Sequence, residues 1–436
     1  MKKSGVSRTT ALLSGVIVVL LIFVAILATN PMGTGTQQTI VTTVQREVTR
    51  TVTMQVTATA PPGLGATTVK IGILAPLTGP FAAWGTQYLE AARLAVEEIN
   101  AAGGVHGARV ELVVADDRND AREAVAAFQK LVDVDKVVAV AGLINSALIS
   151  AVKPYAEQYK IPLIINLGGS VAFSDLNMRY LFRGCNPNAD ILVKATADFI
   201  RERGYKRVSV FIASYEWGFS VRDAAVKYIG SLPGVTLTVE ESQLGATELT
   251  PHLRRIQANN PEVIITYGNP PAGIALTKQG LEQGIRALYI GGFYPIEQYV
   301  STLGEQIYNN VVDLSCVDRN SREYVSVATK FYQRTNKYME DSGVWGYITV
   351  YRIVDAVKHT RSVDPSVIAD DIRSRKYRNP MLVFPMSYTE NGEWSEPRLA
   401  VLQFERGDPG PVNPRATWVL KQIYITKPLT PFIPEK

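Results

Sequence analysis

Charge is scarce where this chain begins: between Arg8 and Arg46 there is no Asp, Glu, Lys or Arg. Cysteine is nearly as rare. Cys185 and Cys316 stand far apart and in no metal-ligand spacing, which excludes a thiolate metal centre and leaves a single bridge or two packed thiols open. The only histidines, His106, His252 and His359, lie beside no nucleophile motif. G-x-S-x-G, a P-loop, H-E-x-x-H and a G-x-G-x-x-G following a strand are all missing, so the common hydrolytic, phosphate-binding and dinucleotide motifs have no carrier. The acid pairs Asp116-Asp117 and Asp370-Asp371 read as turn and surface charges, the second pair within a helix. No N-x-S/T sequon occurs, so N-glycosylation is not predicted. No catalytic residue, cofactor or metal site is expected.

What is present describes a large soluble body on a special N-terminus. With 436 residues, 46% apolar and 19% charged, there is room for two or three domains and ample core. The formal net charge of +5 is located almost wholly before residue 68, where Lys2, Lys3, Arg8, Arg46 and Arg50 outnumber Glu47. The remainder is nearly neutral and lacks the clustered basic face that nucleic-acid binding needs.

Residues 11–28 (ALLSGVIVVLLIFVAILA) form an uncharged apolar run, about long enough to cross a hydrocarbon core as a helix. Lys2, Lys3 and Arg8 precede it, which keeps the N-terminus inside and predicts a single-pass cell-membrane protein with everything after residue 30 outside. A cleaved signal is the rival reading, but the run is long and Ala28-Thr29-Asn30 is a poor small-x-small site. Residues 1–32 are therefore read as anchor or signal. Residues 33–67, rich in Thr, Val and Gln and broken at Pro61-Pro62-Gly63, read as an extended stalk, on the order of 100 Å at about 3.3 Å per residue.

From Val69 the pattern alternates. Apolar runs at Val69–Leu74, Val110–Val114, Val137–Val140, Pro162–Ile165, Val208–Ile212, Val263–Ile265 and Leu288–Ile290 read as buried parallel strands with helices between them. Leu89, Ala92, Val96 and Ile99 mark one face of a helix that Gly103-Gly104 ends. Further on, helical stretches are expected at 322–340, 345–359 and 366–375, then hairpin-like strands near 381–388, 398–404 and 417–421. So many elements exceed one sheet, and two doubly wound α/β lobes are the natural solution.

The blocks VKIGILAPLTGPFAAWG, INAAGGVHG and ELVVADDRNDAREAVAAFQKLV, in that order and spacing, resemble the branched-chain amino-acid family of solute-binding proteins that serve ABC importers. AGLINSALISAVKPYAEQYKIPLI, SYEWGFSVRDAAVKYI, PEVIITYGNPPAGIALTKQGLEQG and ALYIGGFYP extend the resemblance to about Ile425. It implies the type I periplasmic binding protein fold, two Rossmann-like lobes joined by a hinge, with a ligand clamped between them. The bilobal domain would span 68–436. Its first lobe would hold about 68–186 plus 291–380, and its second about 187–290 plus 381–425. The implied partners are a small-molecule ligand, most simply a hydrophobic amino acid or a related carboxylate or amide, and an ABC permease with its ATPases.

Carried over residue by residue, the resemblance places an aromatic wall at Trp84, in the loop after the first strand. Asn145 and Ser146 fall at a helix N-cap, where free N–H groups and a hydroxyl suit a carboxylate. Gly168, Gly169 and Ser170 would offer backbone and hydroxyl groups. Trp217, Asn269, Phe293 and Tyr294 would line the second lobe. The acid that pairs with an amino-acid ammonium in this family is absent at Phe293-Tyr294, so either Glu297 or Glu216 replaces it, or a cation–π contact with the cleft aromatics Trp84, Trp217, Phe293 and Tyr294 holds the ammonium, or the ligand has no α-ammonium. A ligand-sensing ectodomain is the alternative role. Only about eight residues precede the apolar run, too few for a signalling domain, which favours transport.

Overall fold

The computed structural model describes residues 64–434 except 176, 177 and 185. The expected anchor at 11–28 and stalk at 33–67 lie outside these, apart from the stalk's last few residues. No helix among the described residues is long and apolar enough to cross a membrane.

The first sheet is wholly parallel, in the order β2-β1-β3-β4-β5. Its strands are β1 (Thr68–Ala75), β2 (Arg109–Asp116), β3 (Ala139–Ala141), β4 (Leu163–Ile164) and β5 (Leu181–Phe182). A parallel pair needs a crossover; the first three are the helices α1 (Ala82–Ala101), α2 (Ala121–Asp133) and α3 (Ser146–Tyr159), whereas β4 connects to β5 with no helix among the described residues. Both sheet faces are covered, so β1 is buried nearly throughout. Its period-two alternation still divides the core. Ile71 and Ile73 pack in the cluster that holds Tyr88, Ala91 and Ala95 of α1, whereas Leu74 joins Phe128, Leu131 and Ile149 of α2 and α3. The double glycine ends α1 as expected. Gly103 and Gly104 take φ of 98° and 74°, and a Cβ on Gly104 would lie 2.0 Å from the Ala108 carbonyl oxygen.

The second sheet is mixed, in the order β12-β11-β10-β9-β8-β6-β7. It comprises β6 (Arg207–Ala213), β7 (Thr236–Ser242), β8 (Val263–Gly268), β9 (Leu288–Ile290), β10 (Val311–Ser315), β11 (Ala400–Arg406) and β12 (Trp418–Ile425). The first five pair in parallel; β11 and β12 are antiparallel to their neighbours. Helices α4 (Ala189–Arg203), α5 (Glu216–Tyr228), α6 (Thr250–Ala258), α7 (Pro270–Glu282) and α8 (Ile296–Leu303) accompany it. The expected division gives 291–380 to the first lobe. The sheet instead keeps β10 with the second, because Val311 and Val312 pair with Tyr289 and Ile290. The chain returns to the first lobe only afterwards, through α9 (Arg322–Thr335), α10 (Asp341–Thr360) and α11 (Pro365–Ser374).

Helix α10 lies against α1 closely enough to need glycine: a Cβ on Gly346 would sit 2.2 Å from the Tyr88 carbonyl oxygen. The strand expected at 381–388 does not form. Pro380 and Pro385 interrupt any ladder, and the isolated bridges Val317–Leu382, Tyr377–Met386 and Tyr388–Trp394 occur in its place. Met381, Phe384 and Met386 are buried regardless. Asp371 is also no surface charge. It is 6% exposed and accepts hydrogen bonds from Arg352 (2.9 Å) and Arg375 (2.9 Å), with the His359 ring nitrogen at 2.6 Å. Cys316, just past β10, is buried and disulfide-bonded; Cys185 lies outside the described residues.

Candidate functional site

Parallel strands aim their carboxyl ends at one edge, and the loops that leave β1, β3, β4, β6, β8 and β9 there meet around a pocket. The β1 loop is shaped by Asp116, which accepts from Leu77 N (2.9 Å), Thr78 Oγ1 (2.7 Å) and Arg118 N (2.9 Å). Burial alone would raise its pKa, but the bonds from Thr78, Arg118 and Leu77 outweigh burial and hold the carboxyl below its usual range. Trp84 follows this loop. It sits in the first turn of α1 rather than in the loop where it was expected.

At the start of α3, the Asn145 side chain caps Ala147 N at 3.0 Å. Ser146 Oγ accepts from Ser170 N at 3.3 Å, leaving its own proton to donate. Gly169 is squeezed against the opposite lobe: a Cβ there would lie 2.1 Å from the Trp217 ring. Trp217, in the first turn of α5, is fixed by its indole N–H donating to the Tyr267 carbonyl at 2.8 Å. Phe293 holds a left-handed φ of 60°, rare for a bulky residue, and its carbonyl accepts the Trp84 indole N–H at 2.8 Å.

The pocket so formed holds about 500 Å³, its open mouth included. Trp84, Asn145, Ser146 and Gly169 line it from the first lobe, and Trp217 and Phe293 from the second. Gly168, Ser170, Asn269 and Tyr294 do not line it. Gly168 presents its carbonyl to Arg183 at 2.5 Å, and Ser170 Oγ lies 3.1 Å from Ser220 Oγ. Asn269 donates to Ser242 Oγ at 2.9 Å, and Tyr294 is buried with its hydroxyl donating to Thr266 at 3.2 Å. These four support the wall from behind. Phe81, Ile144, Leu167, Asn186, Tyr215, Tyr267 and Gly292 complete the lining. None of the lining residues carries a formal charge. Glu216 is spent at the rim, accepting from Ser150 Oγ at 2.9 Å, and Glu297 accepts from Tyr338 N at 2.9 Å; neither lines the pocket.

Residues 68–408 match the family model described as periplasmic binding protein. The chain belongs to that family. Its relatives include an amino acid binding protein of Pseudomonas aeruginosa, 27% identical over 318 residues, covering 72% of this chain and 84% of the relative. Among solved structures, a leucine binding protein of Thermotoga maritima superposes with a TM-score of 0.69 at 22% identity, over 83% of this chain and 99% of that one. A solute binding protein of an ABC transporter from R. palustris, solved with benzoate, gives 0.70 at 16% identity, over 84% and 98%. As a member of the periplasmic binding protein family, this chain has a two-lobed type I fold, and its family binds solutes without transforming them.

Several lining residues of this periplasmic binding protein escaped the sequence reading. Tyr267 and Gly292 lie at or just past the carboxyl ends of β8 and β9, and Tyr215 just past β6, so strand position alone would have nominated them. Asn186 had no such signal. It lies between β5 and α4 in an Asn-Pro-Asn stretch with no periodicity. Also missed was the support beneath the glycine loop. Arg183, 2% exposed, donates to the carbonyls of Gly168 and Ser170, to Ser174 Oγ (2.9 Å) and to Glu393 through Nε (2.8 Å) and a second, shorter bond. Sequence separation of 210 residues hides that pair.

Proposed function

We propose that this chain is the extracytoplasmic receptor of an ABC importer. It captures one small apolar solute between its lobes and passes it to a permease and its ATPases. The observation that carries this is a pocket walled from both sides, by Trp84, Ser146 and Gly169 on one lobe and Trp217 and Phe293 on the other. Hydrogen bonds between the lobes ring it: Trp84 to Phe293, Ser150 to Glu216 and Ser170 with Ser220. Contacts made only when the lobes meet are what a ligand needs in order to shift an open–closed equilibrium, and closure gives a transporter a shape to recognise.

The ligand's carboxylate belongs at the N-terminus of α3, where Asn145 and Ser146 line the pocket and the Ser146 hydroxyl keeps a proton to donate. Its apolar body belongs among Trp84, Trp217, Phe81 and Phe293. The relative from Pseudomonas aeruginosa binds amino acids by its name, and the R. palustris neighbour holds benzoate. Both point to small hydrophobic acids: a branched-chain or other hydrophobic amino acid, or an apolar or aromatic carboxylate or amide. Residues 11–28 would anchor the protein with its N-terminus inside, and 33–67 would hold the lobes clear of the membrane.

The test is a thermal-shift screen of the full chain in detergent against amino acids, aromatic acids, aliphatic acids and amides. A binder present at about a hundred times its Kd stabilises the folded state by about 2.7 kcal/mol and raises Tm. No shift from any class would refute solute capture.

A further inference from the structure

One buried side chain of the pocket, which the family resemblance does not name, carries an unpaired acceptor. Asn186 lines the pocket and is 6% exposed. Its Nδ2 donates to the Leu167 carbonyl at 2.6 Å. A carbonyl only accepts, so this bond fixes which end of the amide is nitrogen and which is oxygen. The oxygen, Oδ1, is buried with no hydrogen-bond partner among the described residues. A buried acceptor left unpaired disfavours the folded state, so an occupant that supplies a donor gains what the protein leaves open.

Three acids near the pocket are already committed. Glu393 accepts from Arg183, Ser174 and Asn188, Glu216 from Ser150, and Glu297 from Tyr338. An ammonium closed into this pocket would meet neutral amide and hydroxyl groups and aromatic rings, but no counter-charge among the lining residues, and desolvating it would oppose binding.

We propose that Asn186 determines specificity by accepting a hydrogen bond from a neutral donor on the ligand. The solute is then a hydroxylated apolar acid, not an amino acid. This rests on the solute-capture reading above and on the carboxylate lying at Ser146.

The experiment is isothermal titration of the full chain in detergent with two matched series. One is 4-methylpentanoate, 2-hydroxy-4-methylpentanoate and leucine. The other is phenylpropanoate, phenyllactate, 3-(4-hydroxyphenyl)propanoate and phenylalanine. A hydroxylated acid should bind at least about tenfold tighter than its plain parent and its amino counterpart, a difference of about 1.4 kcal/mol. Asn186→Leu should erase the preference of hydroxylated over plain acid. Asn186→Asp, isosteric but anionic, should reverse the preference between hydroxy acid and amino acid, and it serves as the readout if the leucine variant does not fold. Amino acids binding as tightly as hydroxy acids in the unaltered protein would overturn the proposal while leaving solute capture intact. So would unchanged ratios in both variants. Silence from every compound here and in the wider screen would refute solute capture itself, and this proposal with it.

Discussion

Asp116 and Asp117 are adjacent, yet their surroundings drive them apart. Asp116 is held ionised by the turn it organises. Asp117 is 1% exposed, and its pKa rises to about 6, chiefly through burial and also through repulsion from Asp116, against a hydrogen bond from Asn119 N. The folded state therefore prefers the protonated acid. The resulting stability is complete below the unfolded pKa near 4 and is lost as pH rises through about 6, on the order of 3 kcal/mol in all. Asp117→Asn keeps the oxygen that accepts from Asn119 and abolishes the titration. Denaturation midpoints at about pH 4 and about pH 8 should differ less in this variant, which should be the more stable protein at the higher pH. An unchanged pH profile would rule the assignment out. Residues of this kind were half legible in the sequence. The turn role of Asp116 follows from its place between a strand and a helix, but Asp117 read as a surface charge because burial depends on packing that no local pattern reports.

Among elements, most strands were recognisable from their apolar runs, but three were not. Strand β5 is two residues long, β7 is a half-exposed edge, and Asp313 interrupts β10. The segment at 381–388 alternates like a strand but carries Pro385 and follows Pro380, and its alternate side chains are buried without a ladder. The loop that offers Gly169 to the pocket is held from a distant element, through Arg183 and Glu393. Glu393→Gln would leave the Arg183 guanidinium buried with no negative partner. A loss of about 3–5 kcal/mol is expected, read as a lowered urea midpoint. A loss below about 1 kcal/mol would show that the pair does not hold the loop.

At the scale of the molecule, the proposed closure would be limited by how near the lobes approach at Gly169. A methyl group there meets the Trp217 ring, whose indole is itself pinned to Tyr267, so Gly169→Ala should prop the cleft open. We expect solute affinity to fall at least tenfold, with little change in Tm, and the ligand-dependent decrease in radius of gyration seen by small-angle scattering to vanish. A variant that still compacts with ligand would place the closing contact elsewhere. The amino-acid sequence by itself determined the α/β class, the helix caps, and the loops that reach the cleft. These depend on period, caps and short spacings, all local properties of the chain. Only the tertiary structure decided that β10 joins the second sheet, that Asn186 enters the lining, and that Trp84 bonds to Phe293. Each joins residues brought together by non-local strand pairing or by apposition of the lobes, and no local pattern encodes such a meeting.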